Sequence, residues 1–131
     1  MLCIAAAILG CGEGGPQTHA VAGRINLQGG DIAKLAGSTL EIASTSDNTV
    51  RGFGEIQPDG RFRIQSLQAG QLRSGVLAGN YTARIIPNDE DNNSRKLATQ
   101  AIARRYLQFE TSKLTVQVPS SGELSLNIAA R

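Results

Sequence analysis

From Val21 onward, apolar residues recur at every second position far more often than at every third or fourth, which is the period of a strand with one buried face. Val21, Ile25 and Leu27 fall on one face with Arg24 and Asn26 on the other, and Gly29-Gly30 follows as a turn signal. Leu40 and Ile42 alternate with Thr39 and Glu41 ahead of the polar stretch from Ser44 to Asn48. Val50 to Ile56 reads as the next strand, and after it Phe62 and Ile64 point inward with Arg61 and Arg63 outward. From Asn80 to Pro87, Tyr81, Ala83 and Ile85 alternate against Thr82 and Arg84. Two further alternating runs, Leu114-Val116-Val118 and Leu124-Leu126-Ile128, complete the pattern.

Turn chemistry predicts how some of these strands join. In Gln57-Pro58-Asp59-Gly60 the proline presets the second turn position and the glycine ends the turn, so the flanking strands are expected to form a hairpin. Pro119-Ser120-Ser121-Gly122 predicts a second hairpin between the last two runs. No amphipathic helix of ordinary length is expected. One short helical element fits Leu97 to Tyr106, through Ala98, Ala101, Ile102 and Ala103. About seven short strands broken by Gly and Pro predict an all-β chain, an antiparallel β-sandwich over residues 20–131.

Four segments carry a family resemblance: Val21-Ala22-Gly23-Arg24-Ile25, Gly37-Ser38-Thr39-Leu40-Glu41-Ile42, Asp59-Gly60-Arg61-Phe62-Arg63-Ile64, and Leu77-Ala78-Gly79-Asn80-Tyr81-Thr82-Ala83-Arg84-Ile85. Together they resemble the carboxypeptidase regulatory-like, transthyretin-like domains. Ala103-Arg104-Arg105-Tyr106 and Glu110-Thr111-Ser112-Lys113-Leu114-Thr115-Val116 are similar to the closing segment of small bacterial lipoproteins that carry this domain. The resemblance implies a transthyretin-like sandwich, and its motifs are structural. A purine-pathway hydrolase of the same fold ends in Tyr-Arg-Gly-Ser, whereas this chain ends in Asn127-Ile128-Ala129-Ala130-Arg131, so that activity is not implied.

The first ten residues, MLCIAAAILG, are uncharged and apolar, and read as the hydrophobic core of a secretory leader. A membrane-spanning helix needs about 20 apolar residues, so the run is too short to remain as one. Ile8-Leu9-Gly10-Cys11 resembles a bacterial lipobox, which implies cleavage before Cys11 and acylation of its thiol. Two or three acyl chains anchor a protein stably where one holds it only marginally. No Lys or Arg precedes the apolar core, although leaders ordinarily open on positive charge. Either translation starts upstream of Met1, or Ile4 to Leu9 is a buried element with Cys11 a small hydrophobe. Residues 11–19 comprise the lipidated Cys11 and a flexible tether through Gly12 to Thr18, GEGGPQT. Cys3 would be lost with the leader.

Composition narrows the function classes. The chain has 131 residues with 13 basic against 11 acidic, a formal charge of +2, which argues against nucleic acid as a partner. Aromatics are 4% with no Trp, which disfavours a stacking platform for bases or sugars. Both cysteines lie in the first eleven residues, so a body starting at residue 20 holds together by packing alone. His19 is the sole histidine, at the edge of the tether. No HExxH, GxSxG, Walker or CxxC motif occurs, and no catalytic residue is assigned. Asp89, Glu90 and Asp91 among three asparagines are hard oxygen donors and a weak calcium candidate, but their spacing is not that of an EF-hand, and a solvated loop is the default. Arg61, Arg63, Arg84, Arg104 and Arg105 either converge as an acceptor for carboxylates or phosphates or are solvated strand positions, with Arg104 or Arg105 pairing locally to Glu110.

The expected product is therefore a non-enzymatic, cofactor-free β-sandwich. Membrane lipid on Cys11 would hold it on the periplasmic or extracellular side of a bacterial envelope, where its role would be structural or contact with an envelope protein. The alternative is a small-ligand or carbohydrate-binding module, which needs Tyr81, Tyr106, Phe53 or Phe109 exposed on a concave face.

Overall fold

Alternating side chains become two facing sheets in the computed structural model, which describes residues 17–131. The leader-like run, Cys3, Cys11 and residues 12–16 of the expected tether lie outside the described residues. Among the described residues nine strands form: β1 (Ala22–Gln28), β2 (Thr39–Ser44), β3 (Arg51–Glu55), β4 (Arg61–Arg63), β5 (Gln65–Gln68), β6 (Gln71–Ser74), β7 (Gly79–Ile86), β8 (Thr115–Val118) and β9 (Leu124–Ala129). One sheet has six antiparallel strands in the order β6-β5-β3-β2-β7-β8. The other has three, β4-β1-β9, with β1 antiparallel to β4 and parallel to β9. The chain is an all-β sandwich.

Leu40, Ile42, Ala83 and Ile85 from the larger sheet meet Ile25, Phe62 and Ile128 from the smaller one, all buried in a single core. Removing each large aliphatic side chain from water contributes roughly 1.5–3 kcal/mol, and this burial drives the fold. The faces expected for β1, β2 and β7 are the faces observed.

Strand pairing departs from expectation at both turns. The 57–60 turn closes, with Gly60 N–H donating to Gln57 O and Gln57 N–H to Arg61 O, both at 2.8 Å. Yet β3 pairs with β5, and β4 pairs with β1 in the other sheet. The chain changes sheets at Ile64. Its N–H donates to Val21 O at 2.9 Å, and its carbonyl accepts from Gly75 N at 2.8 Å. Likewise β8 pairs with β7 while β9 pairs in parallel with β1, so the 119–122 turn arches between sheets. Period-two alternation fixes which side chains face the core but leaves the neighbouring strand open. An arch lets the two apolar faces meet across the core, where a hairpin would lay them side by side.

A helical excursion between β7 and β8 is larger than the single short element expected. Helix α1 (Asn92–Ala101) begins five residues before Leu97, a 3-10 turn covers Arg104–Leu107, and α2 (Phe109–Ser112) follows. Asp91 caps α1, its Oδ1 accepting from Ser94 N at 2.7 Å. Ala98, Ile102 and Tyr106 from this segment join the core, and Ile102 bridges to Ala130. On the opposite seam His19 is not loose: its N–H donates to Val76 O at 2.7 Å and its carbonyl accepts from Val76 N at 3.1 Å.

Gly54 lies on the inner side of β3, where a Cβ would fall on the carbonyl oxygen of Arg63. Gly54→Ala is expected to destabilise by about 1–3 kcal/mol through overpacking. Gly70→Ala, at φ +81 with open space around it, is expected to cost about 1 kcal/mol from backbone strain alone. Denaturant midpoints of the two variants compare them directly.

Tyr81 is buried and its hydroxyl donates to Leu77 O at 2.7 Å. Burial pushes the phenol above its ordinary value of 10.0, because the ionised form is denied water. A raised folded-state value means that above pH 10 the unfolded chain ionises first, so this contribution to stability is complete below that pH and is lost as pH rises. Tyr81→Phe is expected to flatten the alkaline limb of a stability–pH curve and to cost about 1 kcal/mol at neutral pH.

Candidate functional site

Helix α1 is two-sided. Ala98 and Ile102, just past its end, face the core, while Arg95, Lys96, Thr99 and Gln100 form a stripe on the outer side, as residues spaced four apart on a helix do. The chain's last residue packs beside that stripe. Arg131 Nη2 donates to Thr99 O at 3.1 Å and Arg131 N–H to Ala101 O at 3.3 Å, satisfying carbonyls that the last helical turn leaves open. From the 3-10 turn, the Arg105 guanidinium stacks over the Tyr106 ring at 4.6 Å from its centroid and donates to Tyr106 Oη at 2.8 Å. Tyr106 Oη also accepts from Ala129 N at 3.0 Å, which joins this turn to β9.

These three segments enclose a solvent-open groove of about 830 Å³. Arg95, Lys96, Arg104, Arg105 and Arg131 all line it, and none of its lining residues is Asp or Glu. No ion pair among the described residues engages any of the five; the pairs formed are Arg51–Glu41, Arg61–Asp59 and Arg84–Glu41. Half-buried Leu107 lies in the lining and continues into a second hollow of about 430 Å³, which Arg95 and Thr99 also border and which holds Asp89.

A separate polar cluster sits on the outer face of the larger sheet. Glu41 Oε1 accepts from Arg84 Nη2 at 2.7 Å and Nε at 2.8 Å, and Oε2 from Arg51 Nη1 at 3.3 Å. Both guanidiniums lie over the Phe109 ring, at 4.7 and 5.3 Å from its centroid for Arg84 and Arg51. The β-ladders set Glu41 directly opposite Arg84 on one side and Phe53 on the other, so register assembles the cluster. Every charge in it has a partner, and its chemistry is that of an interlock between sheet and α2.

The residues singled out from sequence scatter. Asp91 is committed to its cap, and Asn88 Oδ1 accepts from Glu90 N at 3.0 Å. Among the described residues no three His, Cys, Asp or Glu side chains gather in the manner of a metal site. Of the five arginines, Arg61 and Arg63 stand on the smaller sheet, Arg84 lies on the larger one, and Arg104 and Arg105 reach the groove. The local pairing to Glu110 is replaced by the contact of Arg105 with Tyr106. Tyr81 and Tyr106 are buried, Phe53 is exposed, and Phe109 is half-buried under its two guanidiniums, so the four rings make no common platform. No protein-family model, curated protein or solved structure matches the chain.

Arg95, Lys96 and Arg131 are the groove residues that sequence reasoning passed over. The signal for the first two was Asp91 three residues ahead of Ser94, a helix-start pattern that makes Arg95 and Lys96 neighbours of Thr99 and Gln100. No local signal points to Arg131.

Tyr106→Phe tests how the groove wall is held. Losing one oxygen leaves Ala129 N–H without its acceptor and frees Arg105, with an expected cost of about 1–2 kcal/mol in a denaturation experiment.

Proposed function

We propose that this chain is a non-enzymatic, lipid-anchored protein of a bacterial cell envelope, acylated at Cys11, with a structural or protein-interaction role. The observation that carries the reading is the uncharged apolar run that ends in Ile8-Leu9-Gly10-Cys11. The spacing in the sequence between Cys11 and the first described ladder residue supports it. Among the described residues His19 is the first tied into a ladder, and in the sequence seven residues, Gly12 to Thr18, separate it from Cys11. Fully extended, seven residues reach about 25 Å, enough for a domain of this size to stand clear of a bilayer surface. The likeness to carboxypeptidase regulatory-like, transthyretin-like domains belongs to the same reading, in which the sandwich presents its loops and sheet edges to another envelope component.

A carbohydrate-binding role is the weaker reading. Sugar recognition by ring stacking needs exposed aromatic faces, and Tyr81 and Tyr106 are both packed in the core.

Growth with a palmitate analogue is expected to label the wild-type chain in the membrane fraction and to leave Cys11→Ser unlabelled and soluble. A wild-type chain that is cleaved normally yet carries no label would overturn the anchor.

A further inference from the structure

We infer that the groove between α1, the Arg104–Leu107 turn and Arg131 is a binding site for a ligand bearing several phosphate groups. Five cationic side chains line it and no Asp or Glu does, in a chain whose basic and acidic residues nearly balance at 13 to 11. The excess is therefore local. Like charges brought to one groove repel one another, and although Asp89 lies in the adjoining hollow, none of the five is in an ion pair, so the surface favours counter-charge from outside.

Two of the five are positioned in advance. Arg131 is held by the carbonyls of Thr99 and Ala101, and Arg105 by the ring and hydroxyl of Tyr106. Both forks are thus oriented before a ligand arrives, which reduces the entropy lost on binding. Arg95, Lys96 and Arg104 are exposed beside them and supply mobile charge.

The dimensions and the chemistry of the donors select the ligand class. Along α1 the lining runs from Asn92 to Gln100, and eight residues of helix rise about 12 Å, longer than a single phosphate. A volume of about 830 Å³ lies in the range of small-molecule sites, about 300–1,000 Å³. A carboxylate offers two oxygens in one plane, whereas a tetrahedral phosphate offers oxygens to cations approaching from several directions. Cations delivered by three separate segments suit the second geometry. Phosphates in this arrangement come either from a soluble oligophosphate or from the headgroups of anionic lipid.

The test uses the full chain carrying Cys11→Ser, so that neither arm depends on an acyl anchor and its outcome is separate from that of the anchor experiment. In one arm tripolyphosphate is titrated calorimetrically, with citrate as the carboxylate comparator. In the other, flotation is measured on phosphatidylcholine vesicles with and without phosphatidylglycerol. Tripolyphosphate is expected to bind with an affinity that falls as salt rises, and at least about tenfold more tightly than citrate. Arg95→Gln, Lys96→Gln and Arg104→Gln combined are expected to weaken binding at least about tenfold. The matched loss of three charges on the smaller sheet, Arg24→Gln, Arg61→Gln and Arg63→Gln, is expected to leave binding within about twofold. Thermal melts of both variants confirm folding. Binding confined to tripolyphosphate assigns a soluble ligand, and binding confined to phosphatidylglycerol vesicles assigns headgroups; either supports the site. Failure of both arms, equal affinity for citrate, or equal losses in the two triple variants would overturn it.

Discussion

A six-stranded sheet presents about twice the inner face that a three-stranded sheet can cover, since strands lie about 4.8 Å apart in each. That mismatch is the constraint on which the rest of this structure depends. Apolar side chains on the uncovered part of the larger sheet would face water unless other parts of the chain reached over them. The helical excursion between β7 and β8 supplies Ala98, Ile102 and Tyr106 to the same core, and its 3-10 turn packs against β7. At the other seam, residues 19–21 tie to Val76 and Ile64, drawing this segment into the joint between sheets.

The groove follows from this covering role. A helix recruited to bury one stripe must turn its other stripe to solvent, and on α1 that stripe carries Arg95 and Lys96. The turn that follows must reach both β7 and β9, and it does so through Tyr106, whose ring is buried and whose hydroxyl is shared by Ala129 N and Arg105. The last residues run alongside because β9 pairs with β1 in parallel and carries the chain to α1, where Arg131 meets the helix carbonyls. Cations from three places in the sequence thus converge for reasons of packing. Their chemistry is a consequence of where the cover had to be anchored.

Charge elsewhere on the molecule behaves differently. Arg51 and Arg84 are neutralised by Glu41 and stacked on Phe109, and Arg61 pairs with Asp59. The Arg61–Asp59 pair is exposed, so screening keeps it worth little, about 0–1 kcal/mol, whereas the more shielded Glu41 cluster ties β2, β3 and β7 to α2. The contrast with the groove, which assembles like charges without acidic partners, separates a surface that needs nothing further from one that is electrostatically incomplete.

Much of the fold was legible in the sequence because one-sided burial writes a period of two into a strand wherever it occurs. Val21, Ile25, Leu40, Ile42, Tyr81, Ala83 and Ile85 could be assigned to the core from their neighbours alone, and all are buried. The turn at Gln57 to Gly60 was legible for a similar reason, since proline and glycine act on the backbone locally. Which strand lay beside which was not, because Phe62 and Val116 bury equally well in either sheet, and only the competition among all strands for cover settled the arches. The site was the least legible part. Arg104 and Arg105 stand together in the sequence, but Arg95 and Arg131 join them only once α1 has packed and β9 has delivered the chain end. Local physical chemistry, read residue by residue, determined faces and turns; the pairing of sheets and the meeting of distant charges were decided by packing, which no short window of sequence contains.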